Sequence, residues 1–238
     1  MREDLSMAEA AFPSGNRLAL VGAIWYLLEI PLVLPFVGGT PPSPVKAAEL
    51  ATFYSAHENR LLIGLAFAGV VLLGRIAFSA GARASLQRTA GVRALADLAL
   101  GSMVLSVVLE IGSTALQAAA GRMAAGGGDP AGVVSLHYAY ATVGFVAVQA
   151  TAAAVAATAL AQVISRQFPR WLGWLGLVAG ILGIASSALL TAGGLDPQSA
   201  PYLTLWVLGF WIWMVATGVV LFRRTPGRQP AQPASAID

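Results

Sequence analysis

The sequence predicts an all-α, polytopic membrane bundle of six transmembrane helices, with a short amphipathic helix in the first outer loop. Six apolar stretches recur along its 238 residues, each matching the ~20 residues that a ~30 Å hydrocarbon core requires. Only 11% of the residues are charged while 57% are apolar, whereas a soluble domain carries ~25% charge. Such a chain lacks the polar side chains to cover a water-facing surface. Its arginines, finally, alternate between loops in the way that orients spans in a bilayer.

Residues 1–16 are polar, mixed in charge and read as a cytoplasmic tail. Span 1 covers about 18–38; it is too long for a signal-peptide core, contains Glu29 and precedes no small-x-small cleavage site. Pro31 and Pro35 each remove a backbone donor, which predicts a kink or partial unwinding. The outer loop at 39–60 opens with Thr40-Pro41-Pro42-Ser43-Pro44, where Ser43 suits a cap and Pro44 the first helical position. Leu50, Phe53 and Tyr54 then share one side of an amphipathic helix over 45–58, expected at the interface or folded back over the bundle. His57 and Glu58 fall at its solvated end, with a lid carrying His57 as the alternative.

Span 2 covers 61–82, span 3 94–119 and span 4 131–164, which is long enough to project or tilt. Gly126-Gly127-Gly128-Asp129-Pro130 turns between spans 3 and 4. Span 5 covers 171–192, Asp196-Pro197 turns back, and span 6 covers 202–222. Trp171 and Tyr202 stand at span ends as interfacial anchors. The Pro-, Gln- and Ala-rich tail at 223–238 has a disordered composition, leaving 17–222 as the transmembrane domain.

With the N-terminus inside, the inner segments hold Arg2, Arg17, Arg83, Arg88, Arg93, Arg166, Arg170, Arg223, Arg224 and Arg228. The outer ones hold Lys46, Arg60 and Arg122, a bias that puts both termini in the cytoplasm and the protein in the cytoplasmic (inner) membrane. The pI of 9.7 therefore reflects topology; no basic cluster is interleaved with aromatics, which argues against nucleic acid. The chain has no cysteine, which excludes disulfides, thiolate metal sites and cysteine lipidation.

Gly173, Gly176, Gly180 and Gly183 line one face of span 5. Lipid gives helices no hydrophobic reason to associate, so such a face is a seam for close backbone approach, inside the bundle or between two copies in an oligomer. In span 3, Ser102, Ser106, Glu110, Ser113 and Gln117 form a polar stripe that must face inward. His137, Tyr140, Gly144 and Thr151 of span 4 are its natural partners, since a short loop makes spans 3 and 4 antiparallel neighbours.

A charge at bilayer depth costs at least ~2.5–3.5 kcal/mol and needs a partner. Counting ~1.5 Å per residue from the outer span ends puts Glu29 and Glu110 about 13 Å deep and His137 about 9 Å deep. One outer-half layer would then hold a polar cavity of Glu29, Ser106, Glu110, His137 and Tyr140 between spans 1, 3 and 4. Three chemistries fit Glu29, Glu110 and His137: a closed structural network, a proton relay, or a divalent metal site. No other cofactor is predicted. Arg75 and Asp97 belong to the inner half and suggest an ion pair, or Arg75 snorkels alone. Trp206, Phe210, Trp211 and Trp213 read as packing or lipid-facing residues, with a cage for an apolar or cationic ligand as the alternative.

The run Phe168-Pro169-Arg170-Trp171-Leu172-Gly173-Trp174-Leu175-Gly176-Leu177 resembles the PRWLGWLGL signature opening the fifth span in bacterial six-span integral membrane proteins of a domain-of-unknown-function family. Phe53-Tyr54-Ser55-Ala56-His57 is similar to their segment before span 2. The resemblance implies the six-span architecture and brings no activity, cofactor or catalytic residue.

No His-Glu-x-x-His, Gly-x-Ser-x-Gly or Walker motif is present, and no catalytic residue is assigned. The expectation is a non-enzymatic membrane protein that binds an apolar or lipid-like ligand, or a partner helix, through the polar cavity. The alternatives are an intramembrane metal-dependent enzyme using Glu29, Glu110 and His137, and a proton-coupled transporter with Glu110 as carrier.

Overall fold

The computed structural model describes residues 15–36, 41–42, 45–87, 89, 91–191 and 201–224. The tail before Gly15, Ser43 and Pro44, Arg88, the Asp196-Pro197 turn, the side chain of Tyr202 and the tail after Arg224 lie outside that description. Six helical segments are long and apolar enough to cross a membrane, and the described residues contain no strand.

Span 1 is α1 (Gly15–Tyr26), α2 (Glu29–Leu32) and a 3₁₀ turn (Leu34–Phe36). The break follows from Pro31, which has no N–H for the Leu27 carbonyl; Ile30 donates to it instead, at 3.1 Å. The carbonyls of Leu28 and Glu29 regain normal partners, Leu32 and Val33, at 2.9 Å each.

Span 2 is α3 (Ala47–Val71) followed by α4 (Leu73–Leu86). The expected amphipathic helix is not a separate element: it is the first part of α3. No Gly or Pro stands between Ala47 and Ile63 to stop the helix, so the apolar face of Leu50 and Tyr54 runs directly into the membrane-spanning part. The helix is interrupted at Leu72, where the Arg75 amide reaches back to the Leu72 carbonyl at 3.0 Å. The Trp25 indole donates to the Val70 carbonyl at 3.0 Å beside this interruption.

Span 3 is α5 (Arg93–Ala125), span 4 α6 (Pro130–Ser165), span 5 α7 (Arg170–Thr191) and span 6 α8 (Pro201–Arg223). Pro130 opens α6, and the Asp129 carboxylate caps it by accepting from the Ala131 amide at 3.1 Å. Gly127, at φ 70, supplies the left-handed step of this turn.

The spans close a ring in chain order. α1 packs on α4, α4 on α5, α5 on α6, α6 on α7, α7 on α8, and α8 back on α1, while α3 leans on α5 and α6. One end gathers, among the described residues, Arg17, Arg83, Arg93, Arg166, Arg170, Arg223 and Arg224 together with Asp97. There the Gln167 amide donates to Thr89 at 2.8 Å, and the Arg224 guanidinium lies 5.1 Å from the Phe168 ring centre. The other end carries Lys46, Glu49, Glu58, Arg60, Arg122 and Asp129, with charges of both signs.

The span 5 glycines form an internal seam, and the face proposed for an oligomer is used up within the chain. A Cβ at Gly173 would meet Val163, one at Gly180 would meet Ala156, and one at Gly176 or Gly183 would meet the indole of Trp213 or Trp206. A second, tighter seam joins α1 to α4. A Cβ on Gly22 would lie 2.3 Å from the Phe78 amide nitrogen, and one on Gly81 would lie 2.4 Å from the Ala19 nitrogen. Backbone meets backbone there, which is how membrane helices gain dispersion contact without a hydrophobic drive.

Candidate functional site: an arginine at the axis of the bundle

Just past the interruption at Leu72, α4 aims Arg75 into the centre of the ring. The side chain is 2% exposed. Its Nη1 donates to the Glu110 carboxylate, its Nη2 to the hydroxyls of Ser106 and Thr151, and its Nε to Met103 Sδ at 3.4 Å. Ser106 and Thr151 also bond to each other, and Thr151 donates to the Ala147 carbonyl at 2.9 Å. The rings of Tyr26 and Phe210 lie 5.4 and 5.8 Å from the guanidinium carbon, a distance at which each ring face attracts the cation. Spans 1, 3, 4 and 6 thus converge on one side chain of span 2.

This replaces the expected Arg75–Asp97 pair. Asp97 is held by Arg83 at 2.5 Å, with Arg93 at 4.0 Å. Arg83 stands three residues before the end of α4 and Asp97 four after the start of α5, so both flank the same loop. Arg75 lies further along the axis, level with Ser106 and Glu110.

Of the expected cavity residues, Ser106 and Glu110 are joined through Arg75. Glu29 lies close enough to Arg75 and Glu110 to interact electrostatically with both, and its carboxylate interacts with the Tyr26 phenol. His137 belongs to a different cluster near the opposite end. Its Nδ1 shares a hydrogen bond with the Tyr54 hydroxyl at 2.8 Å, and its ring lies 6.1 Å from that of Tyr140. Tyr140 stands between the two clusters, within electrostatic reach of Glu110 below and Tyr54 above. Its carbonyl accepts from Ser113 at 2.9 Å.

The metal site of Glu29, Glu110 and His137 is not assembled. Among the described residues no three His, Asp or Glu side chains stand together to hold an ion. Glu110 is committed to a guanidinium, and His137 is committed to Tyr54. His57 is not a lid residue: it stacks on Phe53 at 4.4 Å, and its Nδ1 lies 2.7 Å from the carbonyl of that same residue within α3.

Of the span 6 aromatic run, Trp206, Phe210 and Trp213 are buried as packing residues, and Phe210 also flanks the Arg75 guanidinium. Trp213 instead donates to Gln162 at 3.3 Å, and Gln162 donates to Thr217 at 3.2 Å.

The sequence reading missed Arg75 as the hub, with Thr151, Tyr26 and Phe210 around it. The missed signal was register. Counted from the shared loop, Arg75 is eleven residues from the end of α4 and Ser106 is thirteen from the start of α5.

The Tyr54–His137 contact fastens α3 to α6. Tyr54→Phe is expected to lower stability by about 1 kcal/mol, the net worth of one hydrogen bond. Thermal unfolding in mild detergent reads it, and adding His137→Phe should cost little more.

The fold and this centre define a six-span helical membrane protein with a buried, fully engaged arginine. No protein-family profile, curated protein or solved structure matches the chain.

Proposed function

We propose that this is a non-enzymatic protein of the cytoplasmic membrane, with both termini inside, that binds a lipid-like ligand beside the Arg75–Glu110 pair. The arginine-rich end supports the orientation. Membership of the six-span family that residues 168–177 resemble is part of the same proposal.

One observation carries the ligand reading. The Arg75 end of the ion pair is sealed at 2% exposure, while the Glu110 side chain is 32% exposed. Partly exposed Glu29 and Tyr140 stand near the same carboxylate. Two carboxyl groups stand near one guanidinium, so the open side offers acceptor oxygens beyond those that Arg75 occupies, in an apolar setting. A long-chain molecule with a cationic or hydrogen-bond-donating head suits it.

Glu29→Gln removes the second carboxyl and leaves the Arg75–Glu110 pair intact. Native mass spectrometry of protein purified in mild detergent is expected to show a co-purified amphiphile with a cationic or hydrogen-bond-donating head on the parent and at least tenfold less of that species on the variant. Equal retention by both would refute the ligand reading.

The same two carboxyls support a second reading, proton-coupled transport, because two carboxyls beside one guanidinium can hold or release one proton between them. In vesicles loaded with a pH-sensitive dye, that reading requires proton flux that Glu29→Gln abolishes.

A further inference from the structure

The arginine-rich end holds a second feature, remote from Arg75. The end of α6 and the start of α7 enclose a cleft of about 760 Å³, lined by Gln162, Arg166, Phe168, Arg170, Gly173 and Trp174 among others. Its size fits a lipid headgroup and the upper part of its chains.

The wall chemistry is divided. Arg166 and Arg170 are both exposed, and neither forms an ion pair among the described residues. This sets them apart from Arg75 and Arg83, which are both neutralised. Arg166 is held in place by backbone geometry: it ends α6 in the left-handed conformation, at φ 54. On the apolar side, Ile164 is 50% and Trp174 60% exposed, on membrane-spanning helices. Trp171, 56% exposed, stands beside them one residue into α7. Unpaired cations beside exposed indoles and an aliphatic wall suit a molecule that is anionic at one end and apolar at the other. Indoles settle at headgroup level, and basic pockets between spans accept phosphate-bearing headgroups.

We infer that the α6–α7 cleft binds the phosphate headgroup of an anionic phospholipid, with Arg166 and Arg170 on the phosphate and Trp174 and Ile164 against the chains. Guanidinium forks match phosphate oxygens geometrically, so headgroup charge and phosphate together determine affinity. A zwitterionic lipid offers the same phosphate but brings its own cation to the arginines, and binds more weakly.

The test uses the full chain, delipidated in non-ionic detergent and titrated with phosphatidylglycerol or phosphatidylcholine of matched chains, with native mass spectrometry as readout. Phosphatidylglycerol is expected to bind more tightly by on the order of tenfold or more, since each arginine near an anionic headgroup strengthens binding severalfold. Arg166→Asn with Arg170→Gln should erase the preference; Asn tolerates the left-handed conformation, so the turn is kept. Arg170→Gln alone, at an exposed position, should weaken it severalfold with an unchanged unfolding midpoint. Equal binding of the two lipids, or a double variant that keeps the parent's preference, overturns the assignment. Displacement of phosphatidylglycerol by inorganic phosphate at similar concentration would also overturn it, since the site would then recognise the free anion.

Discussion

Replacing Arg75 with Leu is expected to destabilise the bundle by about 3 kcal/mol, at the lower edge of the range for breaking a buried ion pair. The loss has an identifiable source. Ser106 and Thr151 keep their bond to each other, and Thr151 keeps the Ala147 carbonyl, so neither hydroxyl is orphaned. Glu110 does lose its counter-charge, and the faces of Tyr26 and Phe210 lose the cation they flank. Arg75→Lys should recover only part of the loss. A single ammonium cannot reach Glu110 from one corner and the Ser106–Thr151 pair from another, as the planar guanidinium does. Unfolding midpoints of the purified variants in mild detergent, with SDS titration as a second readout, check both. A Leu variant as stable as the parent would mean that the bundle does not depend on its axial cation.

Gly22→Val should have a comparable effect, about 3 kcal/mol or failure to assemble, by a steric route. The new Cβ would sit 2.3 Å from the Phe78 nitrogen and 2.6 Å from the Gly74 carbonyl oxygen. No rotamer change relieves a clash between main chains, so α1 must move off α4, carrying Tyr26 away from Arg75. Overpacking usually costs 1–3 kcal/mol, and a rigid partner places this case at the upper limit. Gly112→Val is the control: a Cβ there meets nothing within 4 Å, so stability should be unchanged or slightly raised. If the two variants behaved alike, the α1–α4 seam would not be a close contact.

Much of the architecture was legible because hydrocarbon imposes simple rules. Spans 4 to 6 lie within one residue of where apolar length placed them, and span 3 starts within one residue of its expected start but runs six residues further; the break in span 1 sits one turn before Pro31, where a missing donor must be felt. The span 5 glycines announced their seam through spacing alone. The α1–α4 seam did not, although Gly15 and Gly22 are seven apart and so are Gly74 and Gly81. Each helix shows only two such residues, and their meaning lies in the pairing between helices.

The site was half legible. Stripes on spans 3 and 4 pointed inward correctly, and Ser106, Glu110 and Thr151 do face the centre. The pairing failed for a physical reason. Depth was measured from assumed span ends, yet α5 has 33 residues and α6 has 36, far beyond the ~20 that cross a bilayer. Treating His137 as level with Glu110 ignored the length of helix that lies outside the hydrocarbon. Ending span 2 at residue 82 also put Arg83 in a loop, which left Asp97 without its true partner. The rotation of each helix, which separates Tyr54–His137 from the arginine cluster, is set by tertiary packing, and one sequence does not encode it in any single stretch.

Arg75 binds the bundle together through Glu110 and not through Asp97. Two double-mutant cycles in the same detergent, Arg75→Leu with Glu110→Leu and Arg75→Leu with Asp97→Asn, measure it directly. A coupling of at least about 1 kcal/mol is expected in the first cycle, with the double variant regaining part of the loss, and additivity within about 0.5 kcal/mol in the second. Additivity in the first cycle together with coupling in the second would contradict it.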